Sequence, residues 1–244
     1  MHALYTTTLL AHIIAGAVGL LSMLAPLLAR KGGRLHRRAG WVFVVSMGLA
    51  SLTGLVIAAL WLVAPLEARP PRTPLDPAAQ ARYVEQLRTM SLFFGFIAVL
   101  VASSLWQGLV ALRQRRGTIA WGNPVDRVLA VLTTGLGALL MVVGTVDVNL
   151  LLLGFGVLGV SSGIADLRFY ARRSHDPRAW MQRHLQAMIG GATAATTAFT
   201  VQFVGRTLAE AGHGGWMLVC WGLPPALGML ASHLWTRRVA PKPR

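Results

Sequence analysis

The chain alternates long apolar runs with short, mostly basic polar segments, and the runs have the length of membrane crossings. A helix needs about 20 apolar residues to span a hydrocarbon core of roughly 30 Å. Runs of that order occupy about 4–29, 41–64, 90–112, 185–204 and 216–235. A sixth run, from Val128 to Ala165, is twice as long as one crossing needs and is interrupted by Asp147-Val148-Asn149. It predicts two helices, about 128–146 and 150–167, joined by a tight turn. The reading is therefore all-α: a polytopic membrane bundle of seven transmembrane helices forming one domain over residues 1–244. The one long polar connection, Glu67 to Thr89, is proline-rich at its start and predicts helix from Pro77 onward. Pro224-Pro225 predict a bend in the last helix.

Charge placement orients the bundle. The connections after helices one, three and five hold Arg30, Lys31, Arg34, Arg37 and Arg38, then Arg113, Arg115, Arg116 and Arg127, then Arg168, Arg172, Arg173, Arg178 and Arg183. The tail adds Arg237, Arg238, Lys242 and Arg244. All four groups fall on one side of a seven-helix path. The other side has Arg206, and a long loop whose arginines are diluted by Glu67, Asp76 and Glu85. Short basic loops stay cytoplasmic, which places the N-terminus outside and the C-terminus inside, in a multi-pass protein of a bacterial inner membrane. Trp41, Trp106, Trp121, Trp180 and Trp235 lie near the basic side, as an interfacial belt requires.

Composition agrees: 55% of residues are hydrophobic and 13% charged, with a mean hydropathy of +0.57, which excludes an ordinary soluble domain. A net charge of +15 would suggest nucleic acid in a soluble chain. Here the positive residues sit between membrane runs, so the expected partner is the anionic head-group layer at the cytoplasmic face, with a membrane-protein partner or a second copy also open. The single Cys220 allows no internal disulfide and no cysteine-based metal site. The first apolar run is too long for a signal-peptide core and is read as a retained helix.

Candidate chemistry centres on histidines. His12 shares a helical stripe with Gly16, Gly19 and Met23; it suits either small-residue packing with a hydrogen-bonded neutral imidazole or a haem ligand. His36, in Arg34-Leu35-His36-Arg37-Arg38, and His184, beside Gln182 and Arg183, fall at one membrane level. Asp166 is placed to orient one of them, or to pair with Arg168 or Arg172. His12 and His36 are 24 positions apart, which at about 1.5 Å per residue keeps them from sharing one ion. A cofactor set of His12, His36, His184, Arg34, Arg37 and Arg183 follows, the arginines serving haem b propionates; no metal site beyond that is read. Helix six also carries a polar stripe of Gln186, Gly190, Thr193, Thr197 and Thr200, suited to bundle hydrogen bonds or to a cavity for a solute or a quinone head group. Gly159-Val160-Ser161-Ser162-Gly163 matches the G-x-S-x-G pattern, yet it lies in a glycine-rich apolar helix rather than a strand-turn-helix. Close packing explains it better than a hydrolase. No motif assigns an enzymatic reaction.

The run from His12-x-x-x-Gly16 through Arg34-Leu35-His36-Arg37-Arg38-Ala39-Gly40-Trp41, with Trp180-Met181-Gln182-Arg183-His184 and Thr196-Thr197-Ala198-Phe199, resembles a bacterial family of membrane proteins, domain of unknown function 2306. The resemblance implies a fold and marks His12, His36 and His184, without implying an activity. Trp41 stands where many members carry Arg. Two function classes remain: a haem b-binding or quinone-linked membrane redox protein, and a small-solute transporter or complex assembly factor without enzymatic activity.

Overall fold

The computed structural model describes residues 1–116, 121–171, 178–213 and 215–239, without the side chains of Arg206, Ala209, Arg238 and Val239. Arg172, Arg173, Lys242 and Arg244 lie outside the described residues. Seven helices are long and apolar enough to cross a membrane, and no strand occurs among the described residues. They are α1 (His2–Leu28), α2 (Arg34–Val63), α3 (Pro77–Arg115), α4 (Pro124–Val146), α5 (Leu150–Ala171), α6 (Ala179–Phe199) and α7 (Trp216–Val239). A π-helical stretch, Thr200–Gly205, continues α6. The chain is a multi-pass, all-α membrane protein.

Several helices outrun the apolar runs that announce them. α2 starts at Arg34 rather than near residue 41, so His36 stands in its first turn. α3 starts at Pro77 and runs unbroken through the apolar stretch for 39 residues, about 58 Å at ~1.5 Å per residue. Asp76 caps it by accepting a bond from Ala79 N–H at 2.8 Å. α4 starts at Pro124 under an Asn123 capping box. α6 starts at Ala179, and α7 runs on through Pro224 and Pro225.

The outer surface is apolar, as a bilayer solvent demands. Leucines and valines such as Leu21, Val45, Val142 and Leu218 face outward, while Ser91, Ser103, Gln107, Asp126, Thr133 and Asp166 are buried. α3 is the hub, packing on α2, α4 and α6, while α1 lies against α2 and α7 against α6. Its Phe93 meets Phe155 of α5 at 5.1 Å and Trp221 of α7 at 5.4 Å between ring centres, both edge-on. Away from the basic ends, His2 Nδ1 lies 3.1 Å from Ala68 O and Tyr83 donates to Arg69 O at 3.1 Å. Both contacts tie the long connection across the helix ends.

The α4–α5 hairpin rests on glycine. A Cβ on Gly137 would come within 2.7 Å of Val160 N, one on Gly144 within 2.6 Å of Leu153 N, and one on Gly156 within 2.7 Å of Gly137 O. The two backbones therefore touch, as small residues permit in membranes. Asp147–Asn149 form the expected turn: Val148 takes φ 49°, and Asn149 Oδ1 accepts from Leu151 N at 3.1 Å and Leu152 N at 3.2 Å. Gly159 and Gly163 of the G-x-S-x-G run belong to the same packing, against Phe96 and Ala130. Ser161 donates to Leu158 O at 3.0 Å and faces outward.

Candidate functional site

The ends of α2, α3, α5 and α6 on the basic side bring together most of the chemistry. His184 of α6 places Nδ1 2.9 Å from Gly108 O of α3. His36 of α2 places Nδ1 3.2 Å from Pro26 O of α1. His36 stands in the first turn of α2 and His184 in the second turn of α6. A carbonyl can only accept, so each Nδ1 carries a proton, and in the neutral ring it is Nε2 that keeps a lone pair for a ligand. Backbone carbonyls thus do the orienting that the sequence suggests for Asp166.

Asp166 has other partners. Its carboxylate accepts from Arg183 of α6 and from Gln107 of α3, and Gln107 reaches Ser103 Oγ at 3.3 Å. Arg168 does not take the role expected of it, since it is two positions along the helix, a spacing that points away; Arg172 lies outside the described residues. The Arg183 guanidinium also stacks over the Phe169 ring at 5.0 Å and the Tyr170 ring at 5.9 Å. One buried ionic centre thereby joins α3, α5 and α6.

A second buried acid, Asp126, is 1% exposed. It accepts from Trp106 Nε1 at 2.7 Å, Gly122 N at 2.9 Å and Asn123 N at 3.3 Å. Its position in the first turn of α4 adds the helix dipole to those donors, so this carboxylate is fully occupied in pinning α4 to α3.

The remaining candidates are dispersed. Arg34, Arg37, Arg38 and Trp41 share the outward face of α2, whereas His36, Phe43, Met47 and Ala50 share the inward one. Arg34 and Arg37 therefore stand on the side of α2 away from His36. His12 Nδ1 lies 2.9 Å from Ala50 O and 3.3 Å from Thr53 Oγ1. Ala50 is 14 positions from His36 on the same helix, about 21 Å along its axis. The inner and outer histidines occupy separate levels. On α6, Gln186 and Gly190 face outward, Thr197 donates to Thr193 O at 2.8 Å, and Thr200 donates to Thr196 O at 2.8 Å. Thr193 fills the space that a side chain at Gly228 of α7 would need. The Thr197 and Thr200 hydroxyls satisfy their own helix, a common arrangement in apolar bundles.

Outside the spans, Lys31 donates to Pro26 O at 2.7 Å and Leu27 O at 2.9 Å and lies 5.3 Å from the Trp235 ring centre. Partial burial lowers its pKa. It closes the C-terminus of α1 and ties that end to α7.

Gln107, Asp126, Trp106 and Tyr170 are the participants that sequence reasoning misses. The available signal was a polar residue inside an apolar span, which is costly unless partnered; Gln107 gives it, whereas Asp126 precedes the apolar run that starts at Val128.

Among the described residues, no group of three or more His, Cys, Asp or Glu side chains is placed to hold a metal ion. Neither a protein-family model, nor a curated protein, nor a solved structure matches the chain. Fold and site together define a multi-pass helical membrane protein with a buried polar centre and a histidine pair near the basic ends of its helices.

Proposed function

We propose that this chain is a membrane redox protein in which His36 and His184 receive the redox group. The supporting observation is the pair of anchored imidazoles, contributed by two helices, with both Nε2 atoms left for a ligand. A quinone head group suits this pair best, because a neutral Nε2 accepts the hydrogen of a quinol hydroxyl and needs no further cation. Haem b would also find two imidazole ligands here. Its propionates would lack the partners the sequence offers, since Arg34 and Arg37 face away and Arg183 holds Asp166.

The deciding experiment is an absorbance spectrum of detergent-purified protein before and after dithionite, with quinone extracted from the same sample, for the parent chain and for His36→Ala and His184→Ala. Quinone that co-purifies with the parent and is lost in both variants, without a Soret band, is the expected result. A Soret band lost in either variant would favour the haem form. Neither signal, from cells replete in both, would overturn the redox reading. It would leave a small-solute transporter or an assembly factor.

We further propose that the basic face is cytoplasmic, that the membrane is a bacterial inner membrane, and that anionic head groups contact that face. The support is the concentration of arginine at one set of helix ends. A C-terminal alkaline phosphatase fusion should then be inactive; an active one would reverse the topology. Membership of the domain of unknown function 2306 family is proposed on the Arg34–Trp41 turn with His12 and His184. An alignment placing other residue types at all three histidine positions would remove that support.

A further inference from the structure

The outward face of α2 has no role in the redox reading, and it is unusual in charge. From Met1 to Leu66 the chain contains no Asp or Glu, yet Arg30, Lys31, Arg34, Arg37 and Arg38 crowd around one turn. Lys31 is engaged at the end of α1. Arg37 donates to Gly32 O at 3.1 Å through one nitrogen, leaving the rest of its fork. Arg34, Arg37 and Arg38 together line a groove of ≈ 320 Å³, and no described carboxylate pairs with any of them. The groove sits on the N-terminus of a 30-residue helix that has no acidic residue in its first turn and no side-chain cap, so backbone and side chains present positive charge together. One and two turns further into the membrane stand Trp41, 58% exposed, and Val45, 64% exposed, on the same face.

We propose that this groove is a binding site for the head group of an anionic phospholipid, its phosphate held by Arg34, Arg37 and Arg38 and its acyl region lying along Trp41 and Val45. The shared chemistry is phosphate recognition by guanidinium forks, which can be bidentate. The lipid source is favoured over a soluble phosphate because the cationic groove continues directly into an exposed aromatic and apolar strip at the depth where tryptophan marks the membrane interface. This site is independent of the histidine pair, whose α2 member, His36, lies on the inward face of that helix.

The test is native mass spectrometry of the full chain released from nanodiscs containing phosphatidylglycerol and phosphatidylcholine. The parent is compared with the triple variant Arg34→Gln, Arg37→Gln, Arg38→Gln and with the same three positions changed to Lys. Retention of one phosphatidylglycerol per chain, not displaced by inorganic phosphate, is expected. Retention should weaken about 100-fold in the Gln variant, at roughly fivefold per arginine near an anionic surface. The Lys variant keeps the loop charge that sets topology, so it inserts as the parent does and isolates the loss of the fork, with an expected weakening of several-fold. Equal retention by parent and Lys variant, together with equal retention by any Gln variant that inserts, would overturn the site. Displacement of the lipid by inorganic phosphate would also overturn it, in favour of a soluble phosphate-bearing ligand. Retention of phosphatidylcholine as tight as that of phosphatidylglycerol would remove the role of charge and overturn it as well.

Discussion

Gly156→Leu is expected to separate α5 from α4 and to destabilise the bundle by about 3 kcal/mol or more, at the upper end of overpacking costs. The size follows from what the new side chain would meet. At this position a Cβ falls 2.7 Å from Gly137 O and 2.7 Å from Met141 N, and backbone cannot swing aside as the end of a side chain can. The helices would have to part along the seam that also holds Gly144 against Leu153 and Gly163 against Ala130. Leu152, Phe155, Phe93 and Phe96 pack beside that seam, so parting would loosen α3 too. Gly154→Leu is the control, since a Cβ there meets nothing within 4 Å. Thermal unfolding in detergent should show a clear fall in midpoint for Gly156→Leu and none for Gly154→Leu. A wild-type midpoint for the first variant would mean that the two backbones do not touch.

The contrast between these two glycines shows where sequence reading succeeds and where it stops. Hydropathy locates the spans because lipid must be met by apolar side chains, and Asp147–Asn149 mark the turn because polar groups interrupt an otherwise continuous run. Hydropathy does not separate Gly154 from Gly156, because which face of α5 meets α4 is a property of the assembled pair. Nor does it find helix ends: Arg34–Gly40 is helical although polar, and the start at Pro77 is legible from its proline rather than from hydropathy, since an apolar run reports the portion in lipid rather than the length of the helix. The same distinction governs the site. That His36 and His184 share a level follows from their places next to basic loops. That Arg34 and Arg37 turn away from His36 follows from helical periodicity once α2 is known to begin at Arg34. The pairing of Asp166 with Arg183, 17 positions away, and with Gln107 on a third helix could be reached only through the packing of α3 between its neighbours.

That pairing makes the second large prediction. Asp166→Leu is expected to destabilise the protein by about 3–5 kcal/mol, the usual cost of leaving the other half of a buried ion pair without its partner. Arg183 would keep its charge in a setting where its side chain is only 14% exposed, with the rings of Phe169 and Tyr170 against it, and Gln107 would lose an acceptor. Arg183→Leu should cost a similar amount by stranding Asp166, for which Gln107 alone is a poor counter-group. The double variant Asp166→Leu with Arg183→Leu should be less harmful than the sum of the single changes, because no unpaired charge remains and replacing a buried pair by apolar residues is often tolerated. Thermal or denaturant unfolding of the four proteins forms a double-mutant cycle, with a coupling energy of at least about 2 kcal/mol expected for residues in direct contact. Simple additivity would mean that the carboxylate and the guanidinium are each satisfied elsewhere. If the coupling is found, absorbance and quinone extraction on the double variant separate structure from function. The histidine anchors on Gly108 and Pro26 do not involve Asp166, so a folded double variant should retain whatever the parent binds at His36 and His184.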